Sequence, residues 1–279
     1  MGITFDSENM TPEEWAQKQV NDYNAEAGTL NEKDGYNCPH CKNKGDIALV
    51  TEYPAGHFST KYRECRCMNS RRSIERMKKS GLENIIKECT FDKYEAAEPW
   101  QQAIKDAAVA YAKDPKGWFF VGGQSGSGKT HICTAICREF LREGRSVVYM
   151  LWRDDIAKLK GFSMDGRADD RQRMIDRIKT AEVLYIDDLF KNGKGRDGEV
   201  SPPTETDINT AFEILNYRCI NPQLITVISS ERTIDDIMQI DEAISGRINE
   251  RSVHFNIAPD QTRNYRLRKA GQHEQEEAK

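Results

Sequence analysis

The sequence predicts an α/β domain built on a five-stranded parallel sheet, preceded by a small metal-held N-terminal module. Three observations predict it. Five short apolar runs alternate with helical stretches in the second part of the chain, the pattern of a parallel sheet with crossover helices. The texture changes at Trp100, from polar and irregular to periodic. Four cysteines fall within residues 38–67, a segment with little periodicity of its own. The chain has 279 residues, which at roughly 100–200 residues per domain is one large domain or two ordinary ones. The division is expected between an N-terminal module with its linker, residues 1–87, and a main domain, residues 88–279.

Taken in order, residues 1–37 are polar. Thr11-Pro12-Glu13-Glu14 has the composition of a helix start: a cap residue, Pro in the first turn and acids near the positive end of the helix dipole. One helix is expected from there to about Ala27. Cys38-Pro39-His40-Cys41 and Cys65-Arg66-Cys67 then form C-x2-C and C-x-C pairs, 23 residues apart. Four thiolates satisfy tetrahedral Zn²⁺, and a closed four-sulfur site has a folding role, not a catalytic one. The second pair is tighter than a usual knuckle, and His57 lies between the pairs as a possible replacement for one thiolate. A redox CxxC would need a βαβ context that is missing here, and free thiols are the remaining alternative. Cys89, Cys133, Cys137 and Cys219 are scattered at apolar helical positions and read as core packing. Residues 61–79 carry eight Lys/Arg against two Glu. The second half reads as a helix with Ile74 and Met77 on one side, and the charge suits either a phosphate backbone or a solvated face. Residues 80–99 read as a connector.

In the main domain, Trp100, Ile104, Ala107, Ala108 and Tyr111 fit a helical stripe. The five strands are expected at Trp118–Gly122, Val147–Leu151, Val183–Asp187, Ile225–Ser229 and Val253–Ile257. A helix over 129–143 ends at Gly144, a natural cap. Residues 152–180 are long for a plain crossover. Residues 191–203 hold three Gly and two Pro and read as a mobile loop. The acidic tail His273–Lys279 reads as frayed.

Composition removes whole classes. Lys plus Arg number 41 against 45 Asp plus Glu, a formal net charge of −4, so the protein is no basic nucleic-acid coat, although local basic patches remain. Nothing approaches ~18 consecutive apolar residues, so no membrane-spanning helix is expected. The start, MGITFDSENMTPEEW, lacks a basic and then apolar leader, so a reducing cytoplasm is the expected compartment.

Two motifs carry chemistry. Gly123-Gln124-Ser125-Gly126-Ser127-Gly128-Lys129-Thr130 satisfies G-x4-G-K-[ST], follows the apolar strand WFFVG and opens a helix, the context this motif requires. Backbone N–H groups and the helix N-terminus can cradle phosphates, Lys129 can reach the β- and γ-phosphates of ATP, and the Thr130 hydroxyl can ligate Mg²⁺. The alternative is a Gly/Ser-rich turn with a chance lysine. Val183-Leu184-Tyr185-Ile186-Asp187-Asp188 is a buried strand ending in two carboxylates, at the edge of a parallel sheet where ligands sit. Asp187 would hold Mg²⁺ through water and Asp188 would orient or deprotonate the attacking water. The alternative is a strand that ends in a polar turn.

GGQSGSGKTH, VLYIDDLF, NYRCINPQLITVISSERT and DEAISGRINERS together resemble the AAA+ ATPases that load replicative helicases, the DnaC/DnaI-type loaders and their phage relatives, with the IstB transposition ATPases close by. The resemblance spans roughly residues 88–268, and the cysteine module looks more loosely like the zinc-binding N-terminal domain of the Gram-positive loaders. It implies an AAA+ core that hydrolyses ATP, self-associates through that core and grips single-stranded DNA, while the zinc module docks on the replicative DNA helicase. It implies that Ser229-Ser230 occupy the sensor-1 place, Ser230 being the better match, and that Arg247 or Arg251 is an arginine finger offered to a neighbouring subunit. The alternative for those arginines is pairing with Glu242 or Glu250 on a solvated helix. About 20 residues follow the fifth strand, too few for the helical lid of larger AAA+ proteins. A DNA path is implied along residues 152–180, where Arg153, Lys158, Lys160, Arg167, Arg171 and Arg173 are offset by five aspartates. Two rival readings remain: an IstB-like ATPase serving a transposase, and a zinc-ribbon adaptor whose nucleotide-bound core has no useful hydrolysis.

Overall fold

The computed structural model describes residues 10–54, 56–79, 83–193 and 201–265. Residues 194–200 of the Gly/Pro-rich loop and the acidic tail lie outside them. The chain divides into two compact units, residues 1–76 and 77–279.

In the first unit, α1 (Pro12–Ala25) starts at a capping box: Glu14 N donates to Thr11 Oγ1 at 3.2 Å, and Thr11 N donates to Glu14 Oε2 at 2.8 Å. Two of the orphan amides of the first turn are satisfied this way. The short α2 (Leu30–Asp34) ends at Gly35 in the left-handed region. An antiparallel hairpin follows, β1 (Asp46–Tyr53) and β2 (His57–Glu64), in register from Asp46 opposite Glu64 to Tyr53 opposite His57. α1 packs on the hairpin. Ala16 and Val20 are buried. Tyr23 Oη donates to Asp46 Oδ1 at 2.5 Å, and the Asn24 amide pairs with both backbone groups of Ala48 at 3.0 Å. The sequence shows no such hairpin because its strands alternate weakly and are largely exposed. α3 (Cys67–Lys79) begins at the last cysteine of the second pair and buries Ile74.

The second unit opens with α4 (Glu83–Glu88) and α5 (Pro99–Lys113). The stripe expected on α5 is observed, with Ile104, Ala108 and Tyr111 buried. Then come β3 (Trp118–Gly123), α6 (Lys129–Arg142), β4 (Val147–Leu151), α7 (Trp152–Met164), α8 (Ala168–Lys179), β5 (Val183–Asp187), α9 (Glu205–Cys219), β6 (Ile225–Ser229), α10 (Ile234–Met238), α11 (Glu242–Arg251) and β7 (Ser252–Ile257). The strands form one parallel sheet in the order β4-β5-β6-β3-β7. β3, β5 and β6 are buried along their whole length. Burial on both faces is why they read as continuous apolar runs and not as alternating ones. α6 packs against β3, β4, β5 and β6, with α5 beside it. Trp118, Phe120, Met150, Leu184, Ile186 and Ile228 form the other core with residues of α7 to α11.

The long crossover is two helices, α7 and α8, and it is laced with ion pairs. Lys158 pairs with Asp155, Lys160 with Asp207, Arg171 with Glu213, and Arg167 and Arg173 with Asp170. Arg218 on α9 is fully buried. It donates to Thr226 Oγ1 at 2.8 Å and to the carbonyls of Ala181 at 2.8 Å, Lys179 at 3.0 Å and Ile225 at 2.5 Å. It thereby ties the end of α8 to β6.

Candidate nucleotide site and cysteine cluster

β3 delivers Gly123 to the rim of the sheet, and α6 starts at Lys129 after a tight loop. The glycines are required by space as well as by dihedral. Gly123 has φ +105°, and a Cβ there would lie 2.1 Å from the Ile257 carbonyl oxygen. Gly126 has φ +74°, and a Cβ would meet the Asn264 side chain at 2.1 Å. The Lys129 ammonium donates to the carbonyls of Gly123 at 2.9 Å and Gln124 at 2.6 Å, so it lies within the curve of the loop. Burial lowers its pKa, the direction expected for a cation held out of water. The loop is braced from two sides. His131 bonds the Thr90 carbonyl at 2.8 Å, and Tyr94 lies over Gly128. Past β7, Asp260 N donates to Gln124 Oε1 at 2.9 Å, Tyr265 N donates to the Gly126 carbonyl at 2.9 Å, and the Tyr265 hydroxyl donates to Glu95 at 3.1 Å.

Asp187 ends β5 facing this loop. Its Oδ1 accepts from Thr130 at 3.1 Å, Tyr185 at 2.8 Å and Ser229 at 2.5 Å, and its Oδ2 accepts from Tyr149 at 2.9 Å. Thr130 and Asp187, 57 residues apart in sequence, are thereby placed where a hard cation would take oxygen from both. Tyr149 and Tyr185 are direct partners across β4 and β5. Burial and then the Asp187 charge raise the Tyr149 and Tyr185 phenols well above their usual range, so both remain donors at neutral pH.

Asp188 and Phe190 both adopt left-handed dihedrals, φ 58° and 61°. Such residues cost about 1–3 kcal/mol each and persist only where the surroundings enforce them. Leu189 and Phe190 enforce them here: both are fully buried, and Phe190 packs edge-on to Trp152 at 5.4 Å. The turn aims the Asp188 carboxylate at the Lys191 ammonium, 2.8 Å away. Lys191 also pairs with Glu231 at 3.0 Å, and Glu231 accepts from the Ser125 hydroxyl of the phosphate loop at 2.8 Å. Burial raises the Asp188 pKa, against the opposing effect of Lys191. Burial also acts to raise Glu231, but the bonds from Ser125 and Lys191 outweigh it and leave Glu231 lowered. Tyr149 and Lys191 stand in no motif, and Tyr185 and Glu231 lie inside quoted stretches without a role read for them, so sequence alone does not single them out.

The two serines at the end of β6 divide their work. Ser229 donates to Asp187 and its oxygen accepts from the Asp188 amide at 3.1 Å. Ser230, the better match by resemblance, spends its hydroxyl on the backbone, donating to the Leu189 carbonyl at 2.8 Å and accepting from Arg232 N at 3.0 Å. The contact with the acidic pair therefore comes from Ser229. β6 lies between β3 and β5, so its last residue reaches the acid while the next one must close the turn.

In the first unit, Cys38, Cys41, Cys65 and Cys67 are all buried, and their sulfurs lie within 4.8 Å of one another. The Cys38–Cys65 and Cys41–Cys67 sulfur separations are 3.9 Å and 3.5 Å. A disulfide needs ~2.05 Å, whereas zinc–sulfur bonds of ~2.3 Å give a tetrahedron with edges of about 3.8 Å. The donor set therefore fits zinc. Asn43 and Arg71 brace the cluster: Asn43 Oδ1 accepts from Cys38 N at 2.8 Å and from Arg71 at 2.9 Å, and Arg71 pairs with Asp34 at 2.6 Å. His57 does not replace a thiolate. It is exposed at the turn end of the hairpin, whereas Glu64, next to Cys65, is at the other.

Comparisons with known proteins bear on the family and the fold. The family model described as IstB-like ATP binding protein matches residues 56–272. The PBSX phage-like element protein XkdC of Bacillus subtilis is 32% identical over 229 residues, covering 77% of this chain and 79% of that protein. The chain belongs to the IstB-like ATP-binding family. Within reach of this family, the replicative helicase loader DnaC of Escherichia coli K12 is 28% identical over 147 residues, 51% of this chain and 58% of the loader. A crystal structure of the DnaC helicase loader superposes with a TM-score of 0.51 at 17% identity, over 61% of this chain and 96% of that one. The fold is accordingly an AAA+ core. The family match begins beyond Cys38 and Cys41, so only half of the cysteine cluster lies inside it.

The two arginines of α11 are placed differently from each other. Arg247 donates to Asn216 Oδ1 at 2.8 Å and 3.2 Å and lies over the Phe212 ring at 4.6 Å. Arg251 is half-buried, and its Nε has no hydrogen-bond partner among the described residues. Among the described residues, neither arginine makes an ion pair with Glu242 or Glu250. Arg247, Glu242, Glu250, Asn216 and Ile220 line an open groove of about 650 Å³ between α9 and α11.

Proposed function

We propose that this protein is an ATP-hydrolysing loader that places a replicative DNA helicase on single-stranded DNA. The observation that carries the hydrolytic part is the meeting of Thr130 with Asp187 at the phosphate loop, with Asp188 projecting beside them. Thr130 and Asp187 would hold Mg²⁺ against the β- and γ-phosphates, and Lys129 would turn from its two carbonyls to the same oxygens. Asp188 takes a proton from a water, the water oxygen bonds to the γ-phosphorus, and the bond to the bridging oxygen breaks to leave ADP and phosphate. Ser229 holds the Asp187–Asp188 turn in place. Self-association through α11 would bring Arg247 or Arg251 to a neighbour's site.

The loading part is supported by the DnaC relatives, and the cysteine-held unit, with zinc in its four-sulfur site, is the candidate helicase-docking module. Five basic side chains of the α7–α8 crossover are already ion-paired, so DNA contact along it receives little support from free charge. Where DNA does bind, the contact should be tolerant of sequence and weakened by salt. The family description favours one second reading, an ATPase that serves a transposase.

The test is capture and loading with the host's replicative helicase. The full chain should hold the helicase, transfer it to a single-stranded circle in the presence of ATP and Mg²⁺, and be released. No association with the helicase, together with association with a transposase, establishes the second reading instead.

A further inference from the structure

Among the described residues, Lys191 is the one ammonium that touches both carboxylates bordering the mouth of the phosphate loop. It lies 2.8 Å from Asp188 and 3.0 Å from Glu231, and Glu231 in turn takes the hydroxyl of Ser125, a loop residue. The lysine sits three residues after Asp188, on a turn pinned by buried Leu189 and Phe190 and closed by a Lys191 N to Asp188 carbonyl bond of 2.9 Å. Its stem therefore has a fixed root beside the site. Its charge is felt by Lys129, whose pKa it pushes in the same downward direction as burial. Two lysines thus border the volume at the mouth of the loop, within electrostatic reach of each other, with a pair of carboxylates sharing the second.

Electrostatics decides what this volume accepts. Without an anion, Lys191 is neutralised by Asp188 and Glu231. A nucleoside triphosphate brings a terminal phosphate with more negative charge than either carboxylate, and that charge repels both of them. We propose that Lys191 is the terminal-phosphate cation of this protein: it transfers from Asp188 and Glu231 to the γ-phosphate, and in doing so releases Asp188 to hold the attacking water. The inference rests on the hydrolytic reading above and deepens it, by naming a cation supplied by the chain's own subunit. A diphosphate has no group in that position, so Lys191 would leave ADP affinity alone. No bond is made or broken in this step.

Nucleotide discrimination tests it without turnover. The affinities of the full chain for a non-hydrolysable ATP analogue and for ADP, each with Mg²⁺, are measured by displacement of a fluorescent nucleotide, for the wild type, Lys191→Met and Lys191→Arg. A charged hydrogen bond to phosphate sets the scale, so Lys191→Met should lose preference for the triphosphate by roughly tenfold. ADP affinity should stay at the wild-type value, which also shows that the variant is folded. Lys191→Arg should keep most of the preference, and kcat should fall in Lys191→Met far more than in Lys191→Arg. The proposal is overturned if Lys191→Met retains the wild-type preference, if it weakens ADP as much as the triphosphate, or if the wild type does not distinguish the two. The hydrolytic reading fails separately, through wild-type turnover by Asp188→Asn, which the binding ratio does not measure.

Discussion

At the scale of single residues, the site depends on a few side chains whose losses should differ in kind. Lys129→Ala removes the charge inside the loop, so ATP affinity should fall at least tenfold, an effect on the order of one charged hydrogen bond or more. Asp188→Asn keeps the shape of the left-handed turn and removes the proton acceptor, so ATP should bind at near wild-type affinity and persist unhydrolysed. Equilibrium binding and single-turnover hydrolysis separate the two, and wild-type turnover by Asp188→Asn would refute its role. Arg218 lies outside the site and makes a different prediction. It caps carbonyls at the end of α8, and burial lowers its pKa to about 9, which leaves it charged. Arg218→Met should strand those carbonyls, costing about 3 kcal/mol. The corresponding fall in Tm is roughly 10 °C for a unit of this size. An unchanged Tm contradicts the account of Arg218 as a clamp. Lys129, Asp187 and Asp188 were legible in the sequence because chemistry fixes their spacing to glycines and to a strand end. Lys191, Glu231 and Tyr149 were not, because only the folded sheet brings them to the loop. Ser229 and Ser230 show the limit most clearly: adjacent and chemically identical, they are told apart by strand register alone.

At the scale of elements, burial decided what could be read. The central strands β3, β5 and β6 are apolar on both faces, while β7 is a largely exposed edge strand; the predicted bounds of the five differ from the observed ones by a residue at the end of β3 and at the start of β7. The β1–β2 hairpin has no such signal. It is ordered from outside its own sequence, by α1 on one face and by the cysteines at one end. That arrangement predicts dependence on metal, because the cluster of Cys38, Cys41, Ile47, Cys65 and Cys67 is the small core of that end. The full chain should carry about one zinc. Chelation should abolish protection of the 46–64 amides from hydrogen exchange while leaving nucleotide binding by the second unit intact. Cys38→Ser or Cys67→Ser should do the same without chelator. Retained protection after complete removal of metal would show that the unit folds without it. The start of α1 was legible for a local reason, because Thr11 and Glu14 close a box within four residues; Thr204 with Asp207 and Thr233 with Asp236 close the same kind of box at α9 and α10, starts that the sequence reading does not name.

At the scale of the whole molecule, the proposed work requires subunits to cooperate. Lys191 offers a cation from within the chain, while Arg247 and Arg251 are candidates to act on a neighbour. Asn216 and Phe212 hold Arg247 in its own subunit, and Arg251 has an unpartnered buried Nε, so Arg251 is the better candidate. An arginine supplied in trans is worth roughly 10³–10⁵ in rate in well-studied phosphoryl transfer. Mixing Asp188→Asn subunits with Arg251→Ala subunits should therefore restore part of the turnover that each lacks alone, and mixing with Arg247→Ala should restore less. If neither mixture recovers activity while assembly is normal, no arginine of α11 acts between subunits. The central claim is that this chain turns over ATP at the loop closed by Asp187 and Asp188, in the service of a helicase and single-stranded DNA. Its most direct test is the steady-state release of phosphate by the full chain, alone and with the host's replicative helicase and a single-stranded oligonucleotide. Turnover that depends on Mg²⁺, rises with these partners and disappears in both Lys129→Ala and Asp188→Asn is the predicted result. Turnover that is absent under every condition, or that persists unchanged in Asp188→Asn, contradicts the claim.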